Sequence, residues 1–328
     1  MNTKHVTVVA LACLALALPA AGQVKYGGYL AAEYIDGQIE SAYPQGSVEN
    51  LLAGFLVAGT VGRKFGFGLE ARVTGVSSFE LNEAWAGFIP AETFTVRAGL
   101  FLVPFGAWNR SSRPHETLLI RTPLNLEHLY PASWRELGLL VEGRVGVLTY
   151  AAYLGNGLSE TDRLGQAQEF SDNNGDKAKG GRLGVLAGQA LRFGVSYYTG
   201  KMDDMELLDL VIEGADLAWV TQNWEIHGEY TKAVVDNLEP YGKGESEGFF
   251  VWAGMSFRSF QPVCSYQKVK YLDPYHDGGI DLDRSRWAAG LRVVLGPSFF
   301  VKAEYDWNRE KGTVLKNDQL QIQAGLSF

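Results

Sequence analysis

The chain has 328 residues, 46% of them hydrophobic and 12% aromatic, and 29 Lys and Arg stand against 37 Asp and Glu for a net charge of −8. This acidic balance, without a basic cluster, argues against a nucleic-acid partner. Two cysteines give no disulfide framework, five histidines show no metal-ligand spacing and no phosphate-cradling Gly-rich loop precedes a helix, so neither metal nor cofactor is expected.

Residues 1–22 read as a secretory signal peptide: Lys4 and His5 at a charged start, an apolar run from Val6 to Leu18, then the small residues of Pro19-Ala20-Ala21-Gly22. The run is shorter than the ~20 residues a spanning helix needs, and Cys13 is followed by more apolar residues, unlike a lipoprotein cysteine. Gln23 is then the expected first mature residue, leaving Cys264 as the only cysteine.

Past Leu18 no apolar run is long enough for a membrane helix, and the pattern turns to alternation. The first strand, 24–34, sets Tyr26, Leu30 and Tyr34 against Lys25 and Glu33, because successive side chains of a strand point to opposite faces. A second strand covers about 48–61. Gly62-Arg63 turns into a third in which Phe65, Phe67, Leu69, Ala71 and Val73 oppose Lys64, Gly66, Gly68, Glu70 and Arg72. Strands four and five, about 79–89 and 94–103, turn at Pro90-Ala91-Glu92, and 104–133 is the longest segment without periodicity. Strand six (135–145) turns at Arg144-Val145-Gly146 into strand seven (147–154), and a polar loop, 155–179, leads to strands eight (180–187) and nine (191–200). Strand ten, about 207–220, is less regular. Strands eleven (224–231), twelve (248–257) and thirteen (263–271) follow, then a loop at 272–283, strand fourteen around Trp287 to Leu295, and strand fifteen (299–307). In the last strand, Leu320, Ile322, Ala324, Leu326 and Phe328 alternate with Gln319, Gln321, Gln323, Gly325 and Ser327.

About sixteen strands with connections alternating short and long predict an all-β fold, a transmembrane antiparallel up-and-down β-barrel over 23–328. The alternative is a soluble sandwich, whose apolar face would look inward. Outward aromatics separate the two: Phe65, Phe94, Phe257, Phe299 and Phe328 gather at the short-turn end, and Tyr34, Phe249, Trp287 and Trp307 at the long-loop end. Two aromatic rows are the interfacial girdles of a membrane barrel.

Register assigns the opposite faces to a wet lumen. Cations expected there include Arg72, Arg97, Arg182, Arg192, Arg292, Lys302, Lys268 and Lys270, and anions include Glu136, Glu142, Glu229 and Glu304. The cations come out slightly ahead, which points to a weak preference for anions. His227 lies between Glu225 and Glu229 on one strand face, the pattern of a carboxylate-oriented general base. No nucleophilic serine stands in a recognisable context, so an outer-membrane hydrolase is the lesser reading.

Residues 104–133 fall third among the external connections. They carry Arg110, Arg113, His115, Glu116 and Arg121 among apolar residues such as Leu118-Leu119-Ile120, a mixture that a freely solvated loop does not need. The position resembles the third external loop of general porins, which folds into the barrel, and the resemblance marks these five residues as a pore constriction. Gly99 to Gly106, with Pro104-Phe105-Gly106, together with EGFFVWAGMSF and PVCSYQKVKY, resembles the phosphate- and polyphosphate-selective porins. That family implies a trimeric sixteen-stranded channel with an arginine-lined lumen and a lysine-containing anion site; the constriction loop here has no lysine cluster. A terminal Phe likewise resembles the last strand of outer-membrane barrels. The expectation is a passive channel of the bacterial outer membrane for small solutes or anions, with the lipid bilayer and two further copies of the chain as partners. The alternative is a non-conducting barrel that binds a partner.

Overall fold

The computed structural model describes residues 21–275 and 282–328. Strands β1 (Ala21–Gly37), β2 (Ser47–Val61), β3 (Phe65–Thr74), β4 (Ser78–Ala91), β5 (Phe94–Leu102), β6 (Arg135–Val145), β7 (Leu148–Gly155) and β8 (Ala178–Ala187) form one half of an antiparallel barrel. β9 (Leu191–Lys201), β10 (Asp209–Val220), β11 (Trp224–Asp236), β12 (Lys243–Met255), β13 (Phe260–Leu272), β14 (Leu282–Leu295), β15 (Phe299–Glu310) and β16 (Gln319–Ser327) form the other, and β16 pairs with β1 to close it. Closure at sixteen strands leaves no open edge. At the seam Gly28 and Phe328 exchange backbone hydrogen bonds of 3.0 Å, and the Phe328 ring occupies the space a Cβ on Gly28 would take. The expected leader falls outside the described residues apart from Ala21 and Gly22, and so does 276–281 of the expected loop 272–283.

At one end of the barrel every connection is a turn, such as 62–64 and 146–147, where Gly62 and Gly146 adopt φ values of 63° and 60° that other residues avoid. At the other end lie the long connections, with one exception: β3 and β4 are joined by only 75–77. Both expected aromatic rows face outward and are exposed, apart from the half-buried Phe249; Phe65 packs on Phe88, and Tyr266 on Trp287.

β11, β12 and β13 extend further than the alternation suggested, to Asp236, back to Lys243 and back to Phe260. One expectation about facing is overturned here. Val263, Ser265, Gln267, Val269 and Tyr271 are the buried, inward residues of β13, so Lys268 and Lys270 point outward above the aromatic row. The physical reason is that the inward face of this strand is covered by protein rather than water, and apolar Val269 and Tyr271 belong there.

Candidate functional site: the loop-crossed lumen

Residues 103–134, between β5 and β6, cross the interior of the barrel; this segment is loop 3. Its apolar residues explain the path. Phe105, Tyr130 and Trp134 pack on one another at ring separations of 5.0–5.7 Å, and Trp134 meets Tyr198 of the wall at 4.9 Å. A single helical turn, α1 (Leu124–His128), buries Leu124 and Leu126 against β12 and β13. Burying two such leucines contributes roughly 3–6 kcal/mol.

A loop inside a barrel also buries its backbone N–H groups, each costing about 1–3 kcal/mol if left unpaired. Lumenal side chains meet them. Glu229 on β11 accepts from Ala107 N at 3.1 Å, Trp108 N at 3.4 Å and the Tyr130 hydroxyl. On β15, Glu304 accepts from Ile120 N at 2.7 Å and Arg121 N at 3.3 Å, while Lys302 Nζ donates to Thr117 Oγ1 at 3.1 Å and the Leu119 carbonyl at 3.2 Å. Gln267 Oε1 on β13 accepts from Leu124 N at 3.0 Å. At the root, Asn109 Nδ2 donates to the carbonyls of Val103 and Trp134, and its Oδ1 accepts from Trp134 N. Gly106 lies flat against Glu229, where its φ of 61° and the missing Cβ let the backbone pass.

Charges on loop 3 are paired. Arg110 and Arg97 share Glu142 at 2.8 and 2.7 Å, and Arg97 lies 4.3 Å over the Trp85 ring. Arg113 binds Glu70 at 2.6 Å and Glu116 at 3.2 Å; His115 leans on the Tyr29 ring. Arg121 and Arg286 hold Glu127 at 2.9 and 3.2 Å. Burial alone would push the Glu127 carboxyl up, but these two arginines hold it down at about 2. The neighbouring His128, whose imidazole is buried, is pushed down to about 4 and is neutral at physiological pH.

The wall residues divide by partner. Arg72 binds Glu80 and Ser133, each at 3.1 Å, and Arg182 grips Asp216 through two bonds of 2.6 and 2.9 Å. Glu136 accepts from Asn156 N and Gly157 N of the β7–β8 loop and so anchors that loop instead of presenting charge. Arg192 and Arg292 have no carboxylate within ion-pair distance among the described residues; Arg292 lies 5.0 Å over Phe300. With Lys268 and Lys270 outside, and Glu80, Glu83 and Glu310 added to the inner face, the expected excess of cations on the wall disappears. The anchoring roles of Glu229, Glu304 and Gln267 carry no sequence signal, since any lumenal strand face is polar, and Asn109 lies in a loop segment without periodicity.

Two chambers flank loop 3. The one toward the short-turn end has a volume of about 690 Å³ and is lined by Arg110, Ser111, Glu142, Arg192, His227 and Trp252, among others. Toward the long-loop end a chamber of about 460 Å³ is lined by Asn50, Arg72, Ser112, Arg121, Gln321 and Gln323. Trp108 and Thr117 line both, and the neighbouring serines Ser111 and Ser112 face different chambers. The inner chamber lies against β5–β12 and the outer one against β1–β3 and β16, so the two are offset toward different sides of the barrel.

No family model matches the sequence. An uncharacterized protein of Aquifex aeolicus (strain VF5) is 21% identical over 234 residues, 66% of this chain and 54% of that one. The chain thus spans about half the length of the curated relative it matches. Among solved structures, the loop L8 deletion mutant of OmpT, an outer membrane protein of Vibrio cholerae, superposes with a TM-score of 0.70 at 12% identity, covering 94% of this chain and 100% of that one. The anion-selective porin of Comamonas acidovorans gives 0.70 at 13% identity, covering 93% and 98%. OmpF of Salmonella typhi, in complex with daunomycin, gives 0.69 at 14% identity, covering 94% and 99%. The barrel resembles those of bacterial outer-membrane porins.

Proposed function

We propose that this protein is a passive, water-filled channel of the bacterial outer membrane, delivered there by cleavage of residues 1–22. The observation that carries the reading is the pair of chambers, both lined by Trp108 and Thr117, on either side of loop 3 inside a closed barrel. Arg110, Arg113, His115, Glu116 and Arg121 on that loop form the constriction, and Arg72, Arg97, Arg182, Arg192, Arg292, Lys302, Glu136 and Glu142 belong to its wall. A trimer is the favoured assembly, supported by the trimer form of the Vibrio cholerae OmpT barrel. Covalent chemistry has little support: His227 has Glu225 at 3.5 Å and Trp252 stacked on its ring, and among the described residues no serine, threonine or cysteine is hydrogen-bonded to it.

Any anion preference, phosphate included, rests on Arg192 and Arg292, the wall arginines with no carboxylate within ion-pair distance among the described residues, and is weak because Glu225 acts on Arg292 and the other wall arginines are paired. Purified protein inserted into planar bilayers tests the proposal. Stepwise conductance in potassium chloride is expected; inserted protein that carries no current supports a partner-binding barrel instead.

A further inference from the structure

Four lumenal side chains stand at one level on four adjacent strands. Arg192 of β9 pairs in register with Ala218 of β10, Ala218 with His227 of β11, and His227 with Trp252 of β12. Adjacent strands lie about 4.8 Å apart, so Arg192 and His227 flank a methyl group across a gap of two strand spacings. The imidazole stacks on the Trp252 indole at 4.2 Å with 9° between planes, and Trp252 is almost fully buried. The His227 side chain remains 27% exposed and lines the inner chamber, so the stack ends in a ring that meets solvent. Arg192 lines the same chamber and, as shown above, has no carboxylate to neutralise it.

Stacking presents a flat π-face, and a guanidinium a planar fork of donors that matches a carboxylate. Trp252 covers one face of the imidazole, and among the described residues no carboxylate pairs with the Arg192 guanidinium. We infer that this row is a subsite for planar aromatic carboxylates, with the ring lying on the exposed part of His227 and the carboxylate held by Arg192, above the buried Ala218. The inference rests on the chamber being part of a water-filled path. Glu225 sets its limits. It approaches His227 Nε2 at 3.5 Å along the ring edge, which leaves the ring face open, and it meets any second negative charge on the solute. Asp216, on β10, is already taken up by Arg182. Aromatic monocarboxylates are therefore favoured over aromatic dicarboxylates, and over saturated rings of the same charge.

The test uses full-length folded protein and three probes: benzoate, cyclohexanecarboxylate and terephthalate. In bilayers, benzoate is expected to reduce the potassium chloride current at concentrations at which the other two do not. Calorimetry on detergent-folded protein reads binding without requiring conduction. Arg192→Gln, at an exposed position, and His227→Ala, at a partly exposed one, are each expected to weaken benzoate binding roughly two- to tenfold, the scale of one stacking or charge contact. Equal effects of benzoate and cyclohexanecarboxylate, or benzoate binding untouched by both substitutions, would overturn the subsite. Benzoate binding to a protein that never conducts would support the subsite and sink the channel reading alone.

Discussion

Gly106 sits where loop 3 presses hardest on the wall: a Cβ there would lie 2.1 Å from a Glu229 carboxylate oxygen, on a backbone whose φ of 61° already disfavours alanine. The conformation alone costs an L-residue about 1–2 kcal/mol, and the carboxylate cannot retreat without releasing the backbone N–H groups it accepts from. Gly106→Ala should therefore loosen loop 3 while leaving the barrel closed. Limited trypsin digestion checks this, with cleavage after Arg110 and Arg121 expected to be faster than in the parent; unchanged protection would mean that the Glu229 clamp is dispensable. Arg110 makes a different case, because its side chain is 35% exposed and shares Glu142 with Arg97. Arg110→Glu sets two carboxylates beside one arginine. The zero-current potential in a salt gradient should move toward cation selectivity, and a potential that stays put would place Arg110 outside the conducting path.

At the scale of the element, loop 3 is held by groups whose protonation differs in and out of the fold. His128 on α1 is neutral to about pH 4 when buried but titrates near 6.5 when released. The released state binds the proton first, so the contribution of His128 is complete above pH 6.5 and falls away as pH drops to about 4, by up to about 3 kcal/mol. Glu127, held at about 2, adds to the loss below its ordinary value near 4.3. Open-channel current noise should rise between pH 7 and 4.5. His128→Gln should flatten that rise, and an unchanged pH response in the variant would exclude His128 as its source.

The same loop shows how far the sequence could be read. Strands whose inner face is polar and whose outer face is apolar, such as β3 and β16, alternate cleanly and were legible from Phe65 to Val73 and from Leu320 to Phe328. Strands beneath loop 3 do not: Leu210, Ile212, Phe250, Trp252 and Val269 face inward yet are apolar, because they pack against protein. That removes the contrast between faces, which made β10 irregular and misplaced Lys268 and Lys270. Charged positions on loop 3 stood out in the sequence, but their pairing did not. Glu229, which clamps a backbone, and Glu142, which shares two arginines, occupy equivalent lumenal positions, and only the loop's path tells them apart.

For the whole molecule the decisive property is the offset between the two chambers. Ser111 and Ser112 are neighbours in sequence but line chambers on opposite sides of the loop. With the lipid-facing Cys264 replaced by serine, Ser111→Cys should react with a bulky, membrane-impermeant thiol reagent added at the short-turn end, and Ser112→Cys with the same reagent added at the long-loop end. Either modification should cut the conductance by more than half. Labelling of both variants equally from both ends would show that loop 3 does not divide the lumen.

Loop 3 is rooted at β5 and β6, yet Lys302 and Glu304 hold its far side on β15, nearly across the barrel. A tie between almost opposite walls acts as a cross-brace. Lateral pressure that flattens the cylinder must change the distance between its attachments, and the brace has to shift with them. Loop 3 thereby stiffens the cylinder from within, at a level where hydrogen bonds between strands are otherwise all that oppose a change of cross-section.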